Sequence, residues 1–127
     1  MKIIIRNTSG VPIYEQIKEQ IKEAILGGEL NEGDLLPPIR QVAADTKVSV
    51  VTTNRAYSEL EQEGFIVNMQ GKGCYVAPKD STLIREQLLR KVEDGFNSAI
   101  AAGKLAKLSQ KELVELFKFT LEGNEYE

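Results

Sequence analysis

The sequence predicts a mainly α-helical chain with one small β wing. A unit of three helices and a hairpin spans residues 1–79, and a helical hairpin spans 80–127. Three observations predict this. Apolar residues recur at helical spacing in the segments beginning at Pro12, Pro38 and Ser49. Two β-prone runs then flank Gln70-Gly71-Lys72-Gly73, and after Asp80 the amphipathic helical pattern returns.

Each element has a local cause. Residues 1–10 look extended and end in the turn-prone Asn7-Thr8-Ser9-Gly10, with no role expected beyond packing. Pro12 suits a first helical position because its φ is fixed and its amide hydrogen is missing. Ile13, Ile17, Ile21 and Ile25 then make one apolar stripe, closed by Gly27-Gly28. A tight turn is expected at Glu32-Gly33-Asp34, with a short strand after it. Pro38 opens a short second helix with Ile39, Val42 and Ala43 inward, and Asp45 to Val48 break it.

Ser49 is the expected N-cap of a third helix reaching Glu63, its hydroxyl taking a free amide of the first turn. Thr53, Ala56, Tyr57 and Leu60 share one face of that helix, and Val51, Thr52, Asn54, Arg55 and Ser58 share the other. Gly64 stops it. Phe65–Met69 and Cys74–Ala77 form a hairpin whose glycines permit positive φ. In the tail, Leu88, Leu89, Val92, Phe96, Ala99 and Ile100 form a broad stripe over 82–102, and Gly103 and the following residues are expected to turn the chain. Ser109 and Glu112 match a capping box that starts a last helix through about Leu121.

Composition narrows the function classes. Apolar residues are 42% and charged residues 28%, as in folded soluble domains. The single cysteine, Cys74, permits no intrachain disulfide, and the start MKIIIRNTSG is too short in apolar residues for a signal peptide. No run approaches a membrane span, so a cytoplasmic location is the expectation. Histidine is absent, which removes the usual zinc sets and histidine-based nucleophile systems. No metal, cofactor or catalytic residue is assigned, and an enzyme is not expected.

The net charge of −3 argues against a nucleic-acid partner, but its distribution argues the other way. Residues 38–58 hold Arg40, Lys47 and Arg55 against Asp45 alone, and residues 64–79 hold Lys72 and Lys79 with no acid. The acids gather elsewhere, as in Glu15, Glu19 and Glu23 of the first helix. Local field decides where a phosphate backbone docks.

Three helices followed by a glycine-tipped hairpin is the order of a winged helix-turn-helix. Two short helices brace a third, whose exposed face fits a major groove about 12 Å wide. Here that face is polar, short-chained and carries one arginine, Arg55, which either contacts phosphate or is simply solvated.

The segments PIYEQIKEQIKEAILGGELNEGDLLPPIRQVA, VSVVTTNRAYSELEQEGFIV and QGKGCYV resemble, in order and spacing, the DNA-binding domain of GntR-type bacterial regulators over residues 11–79. The short helical tail resembles the YtrA-like branch, in which a helical hairpin mediates dimerisation. The resemblance implies a homodimeric regulator, a repressor by blocking polymerase, on an inverted repeat of double-stranded DNA. It places DNA contacts on Arg40, on Ser49, Val50, Thr52 and Asn54, and on Gln70, Gly71 and Lys72 of the wing.

Two positions depart from the family, which often has arginine where this chain has Val50 and Asn54. Neither residue makes arginine's bidentate guanine contact. Asn54 can instead read an adenine edge, and either Val50 or Val51 can meet a thymine methyl. In the tail, Leu88, Leu89, Val92, Phe96 and Ile100, with Leu113, Phe117 and Leu121, are the candidate dimer contacts. Two such helices have too little core alone, and pairing with a second copy would bury both stripes in four helices. No ligand constellation appears in the tail, so no effector is assigned. The rival expectation is a winged-helix scaffold that binds protein, its acidic charge keeping it off DNA.

Overall fold

Isoleucines repeated every fourth residue make helix α1 (Ile13–Leu26), with Ile17, Ile21 and Ile25 fully buried. The computed structural model describes residues 1–78 and 82–126. It continues with α2 (Ile39–Thr46), α3 (Val50–Gln62), β1 (Ile66–Met69), β2 (Gly73–Val76), α4 (Thr82–Leu105) and α5 (Gln110–Gly123). Two compact units result, Met1–Gln87 and Leu88–Glu127. The boundary expected after residue 79, and Lys79 with it, lies outside the described residues.

The core of the first unit joins Ile17, Ile21 and Ile25 of α1 to Val42 of α2 and Ala56, Tyr57 and Leu60 of α3. Leu36, Phe65, Ile66, Val76 and Ile84 complete it. Each large side chain so buried contributes about 1.5–3 kcal/mol.

Both prolines stand one residue earlier in the helical frame than expected. Pro12 and Pro38 are N-caps, with ψ of 144° and 145°, because an extended ψ lets the proline carbonyl accept the first helical bond. Asp45 and Thr46 belong to α2 rather than to the break after it, and the Thr46 hydroxyl bonds back to the Val42 carbonyl at 2.7 Å. The chain turns at Lys47, which is left-handed (φ 58°), and Val48 N–H closes the turn on the Ala43 carbonyl at 3.0 Å.

Gly64 (φ +84°) ends α3 as expected, and β1 pairs antiparallel with β2 from Ile66↔Val76 to Met69↔Gly73. Leu35 adds a single bridge to Tyr75, so the short strand expected after Gly33 is one residue of sheet. The N-terminal segment is held by two glutamines of α1. Gln20 exchanges hydrogen bonds with the Ile4 main chain at 2.9 and 2.7 Å, and Gln16 does the same with Arg6 at 2.8 and 2.9 Å.

In the second unit, the turn expected over Gly103 and the residues after it falls on the latter, and Gly103 itself does not turn the chain. It lies buried inside α4, which continues to Leu105, and a Cβ there would sit 3.4 Å from Leu113 Cδ1. The turn falls at Lys107 (φ 59°), with Leu108 N–H on the Gly103 carbonyl at 3.0 Å. The capping box forms as expected. Ser109 Oγ accepts from Glu112 N–H at 3.1 Å, and the Glu112 carboxylate accepts from Ser109 N–H at 2.9 Å.

Candidate nucleic-acid interface

Helix α3 is divided lengthwise. Thr53, Ala56, Tyr57 and Leu60 are buried, and Val50, Val51, Asn54, Arg55 and Ser58 are exposed. Three bonds fix the buried side. Tyr57 donates its hydroxyl to the Pro37 carbonyl at 2.6 Å, and Thr53 donates to the Ser49 carbonyl at 3.0 Å. Burial, aided by the neighbouring Cys74, pushes the Tyr57 phenol well above its usual range, so it stays a neutral donor. Ser49 Oγ caps the helix by accepting from Thr52 N–H at 3.1 Å.

The same serine hydroxyl donates to Thr52 Oγ1 at 2.9 Å. Ser49 and Thr52 are thereby tied to each other, which leaves the Thr52 proton as the outward donor of the pair. Beside them stand two valines that pack on little, Val50 at 45% exposure and Val51 at 80%. Asn54, one turn on, is exposed.

Arg55 has structural partners. Its Nε donates to Glu59 Oε2 at 3.2 Å, and its guanidinium carbon lies 3.7 Å from the centroid of the Tyr14 ring, bridging α3 to α1. Arg40 and Lys47 are exposed on α2 and its C-cap. At the wing tip Gln70, Gly71 and Lys72 are exposed, with Gly71 at φ +77° and Lys72 N–H on the Met69 carbonyl at 2.8 Å. Gly73 (φ +103°) has a second reason to be glycine, since a Cβ would meet Leu35 Cδ1 at 3.1 Å.

Behind the exposed face of α3 lies a feature the sequence did not announce. Lys18 and Lys22 are buried between α1 and α3. Lys18 Nζ reaches Glu59 at 2.9 Å and Glu63 at 3.1 Å, and Lys22 pairs with Glu63 and lies 5.2 Å from the Phe65 ring centroid. A third carboxylate of this stretch, Glu61, accepts from Asn68 N–H at 2.9 Å and so covers a main-chain donor of β1.

In the second unit, Phe96 meets Phe117 edge-on with ring centroids 5.8 Å apart. Leu88, Leu89, Val92, Phe96 and Ile100 nevertheless keep 40–52% exposure, Phe117 keeps 45%, and Leu113 and Leu121 are half-buried. Among the described residues no helix is long and apolar enough to cross a membrane, and no acidic or cysteine cluster could hold a metal. Cys74 is half-buried, and burial together with Glu61 raises its thiol pKa.

Comparison with known proteins places this geometry. The family model "Bacterial regulatory proteins, gntR family" matches residues 13–76, which run from the start of α1 to the end of β2. The HTH-type transcriptional repressor YtrA of Bacillus subtilis (strain 168) is 36% identical over 105 residues, covering 76% of this chain and 81% of the relative. YtrA from Sulfolobus acidocaldarius, a GntR-family transcription factor of known structure, is 34% identical with 97% of both chains covered and a TM-score of 0.60. The AraR DNA-binding domain, solved in complex with an operator, matches 58% of this chain and 94% of its own at 26% identity and a TM-score of 0.55. This chain belongs to the gntR family of bacterial regulatory proteins.

Proposed function

We propose that this protein is a transcriptional regulator of the bacterial cytoplasm, binding an inverted-repeat operator as a homodimer and repressing by excluding polymerase. The observation that carries the reading is the division of α3, with its back locked into the core and its first turn exposed and capped by Ser49. Such a turn can reach base edges, while Arg40 and the exposed wing residues Gln70, Gly71 and Lys72 are suited to phosphate. The exposed stripe of α4 and α5 supports pairing with a second copy, since that much apolar surface along two helices is the ordinary mark of an interface. Two linked reading heads would demand half-sites a whole number of DNA turns apart.

Fluorescence anisotropy on duplexes enriched from a random pool tests this. Binding should weaken as salt rises, with a slope that counts several phosphates. Arg40→Ala should reduce affinity on all sequences alike and lower that slope by about one. Equal, weak affinity for every duplex at physiological salt would refute specific recognition.

A further inference from the structure

We propose that Val51 and Asn54 direct each half-site to A·T pairs, Val51 meeting a thymine methyl and Asn54 an adenine edge; this rests on the DNA-binding reading above. The argument is one of available chemistry. The commonest guanine contact in the major groove is a bidentate one from a free guanidinium or ammonium on the helix that enters it. The only cation of α3 is Arg55. Its Nε is bound to Glu59 and its guanidinium lies on the Tyr14 ring, which turns it toward α1. Ser49 and Thr52 are bonded to each other and to the main chain.

Besides the outward Thr52 proton, which either kind of base pair can accept, what remains for base edges is two branched alkyl groups and one carboxamide. Val51, at 80% exposure, has no packing role in the fold, so its methyls are available to a groove partner that is itself apolar. The thymine C5-methyl is the one such group the major groove displays. Asn54 carries an acceptor and two donors, and it makes no side-chain hydrogen bond among the described residues. That pattern matches the N6 donor and N7 acceptor of adenine. Val51 and Asn54 are three residues apart on one exposed face, about 4.5 Å along the axis. With successive bases about 3.4 Å apart, the thymine and the adenine fall within about two base pairs of each other.

The test uses the full chain and duplexes selected from a random pool. In the best selected half-site, each thymine is replaced in turn by deoxyuridine and each adenine by 7-deazaadenine. For the wild type, one uridine replacement should weaken binding about three- to fivefold, the value of one buried methyl. One deazaadenine replacement should cost about tenfold. Val51→Ala should abolish the uridine effect and Asn54→Ala the deazaadenine effect. Asn54→Arg should move the selected base at that position to guanine. Both side chains are exposed, so circular dichroism should report unchanged helix content in each variant.

Selected half-sites with G·C at these positions would overturn the inference, as would a uridine effect that survives in Val51→Ala. In either case DNA binding itself would stand. A pool that yields no enriched sequence would instead overturn the DNA-binding reading, and this inference with it.

Discussion

Lys18→Met isolates the charge network that holds α3 against α1. Lys18 Nζ lies 2.9 Å from Glu59, 3.1 Å from Glu63 and 3.5 Å from Glu15. Burial opposes its ammonium, and the bonds and charges of Glu59 and Glu63 outweigh that and raise its pKa. In return, the hydrogen bond from Lys18, with help from Arg55, holds the Glu59 carboxyl below its usual range. Methionine keeps the apolar stem and deletes the charge. Removing one partner of a fully buried pair costs about 3–5 kcal/mol. Here the Glu59 and Glu63 side chains keep 27% and 19% exposure, so water recovers part of the loss. The expected cost is about 1–3 kcal/mol near neutral pH.

The pH dependence separates charge from packing. A carboxyl with a depressed folded pKa contributes stability that is complete above its unfolded value of about 4.3 and is lost as pH falls through the folded value. The gap between wild type and Lys18→Met should therefore be full near pH 7 and shrink below about pH 4. Urea unfolding followed by circular dichroism at both pH values reads it directly. A gap of equal size at both would refute the reasoning, because lost packing does not titrate. No gap at neutral pH would refute it equally.

Two further outcomes follow from the geometry. Gly64 and Gly71 both have positive φ, but a Cβ at Gly64 would lie 2.7 Å from Leu83 Cβ while Gly71 faces open space. Alanine at either costs about 1–2 kcal/mol of left-handed strain, and Gly64→Ala should lose at least about 1 kcal/mol more to overpacking; equal urea midpoints for the two variants would argue against the Leu83 contact. Phe96→Asp places a carboxylate on the exposed α4 stripe, so light scattering should show the mass falling from two chains to one and operator affinity falling with it. A mass that stays at two chains would mean that this stripe is not the interface.

The parts of the fold legible in the sequence are those with local causes. The isoleucine stripe of α1, the serine caps at Ser49 and Ser109, and the glycines of the wing each announce themselves within one or two turns. The outward and inward faces of α3 were legible for the same reason, since helical periodicity alone sorts them. The illegible parts depend on partners far along the chain. Nothing in the sequence marks Lys18 and Lys22, and only the fold shows that each meets a carboxylate 41 residues later. Gln16 and Gln20 carry no signature of their use, because an amide that mimics a strand partner looks like any polar helix residue. Gly103 misled as punctuation because a glycine can equally serve close packing, here against Leu113.

That long-range network also bears on how a chain of net charge −3 can approach a polyanion. The first turn of α3 holds no acid. Glu59 is engaged by Lys18 and Arg55, Glu63 by Lys18 and Lys22, and Glu61 by the Asn68 amide. Each carboxylate of α3 and its C-cap is thus neutralised or bonded at the end of the helix away from the reading turn. Screening confines what the DNA senses to about 10 Å at 0.1 M salt. The exposed charges of the first half of α3 and of α2 with its C-cap are Arg55, Arg40 and Lys47 against Asp45. Total charge and local charge are therefore different quantities here, and the ion pairs between α1 and α3 contribute to the difference.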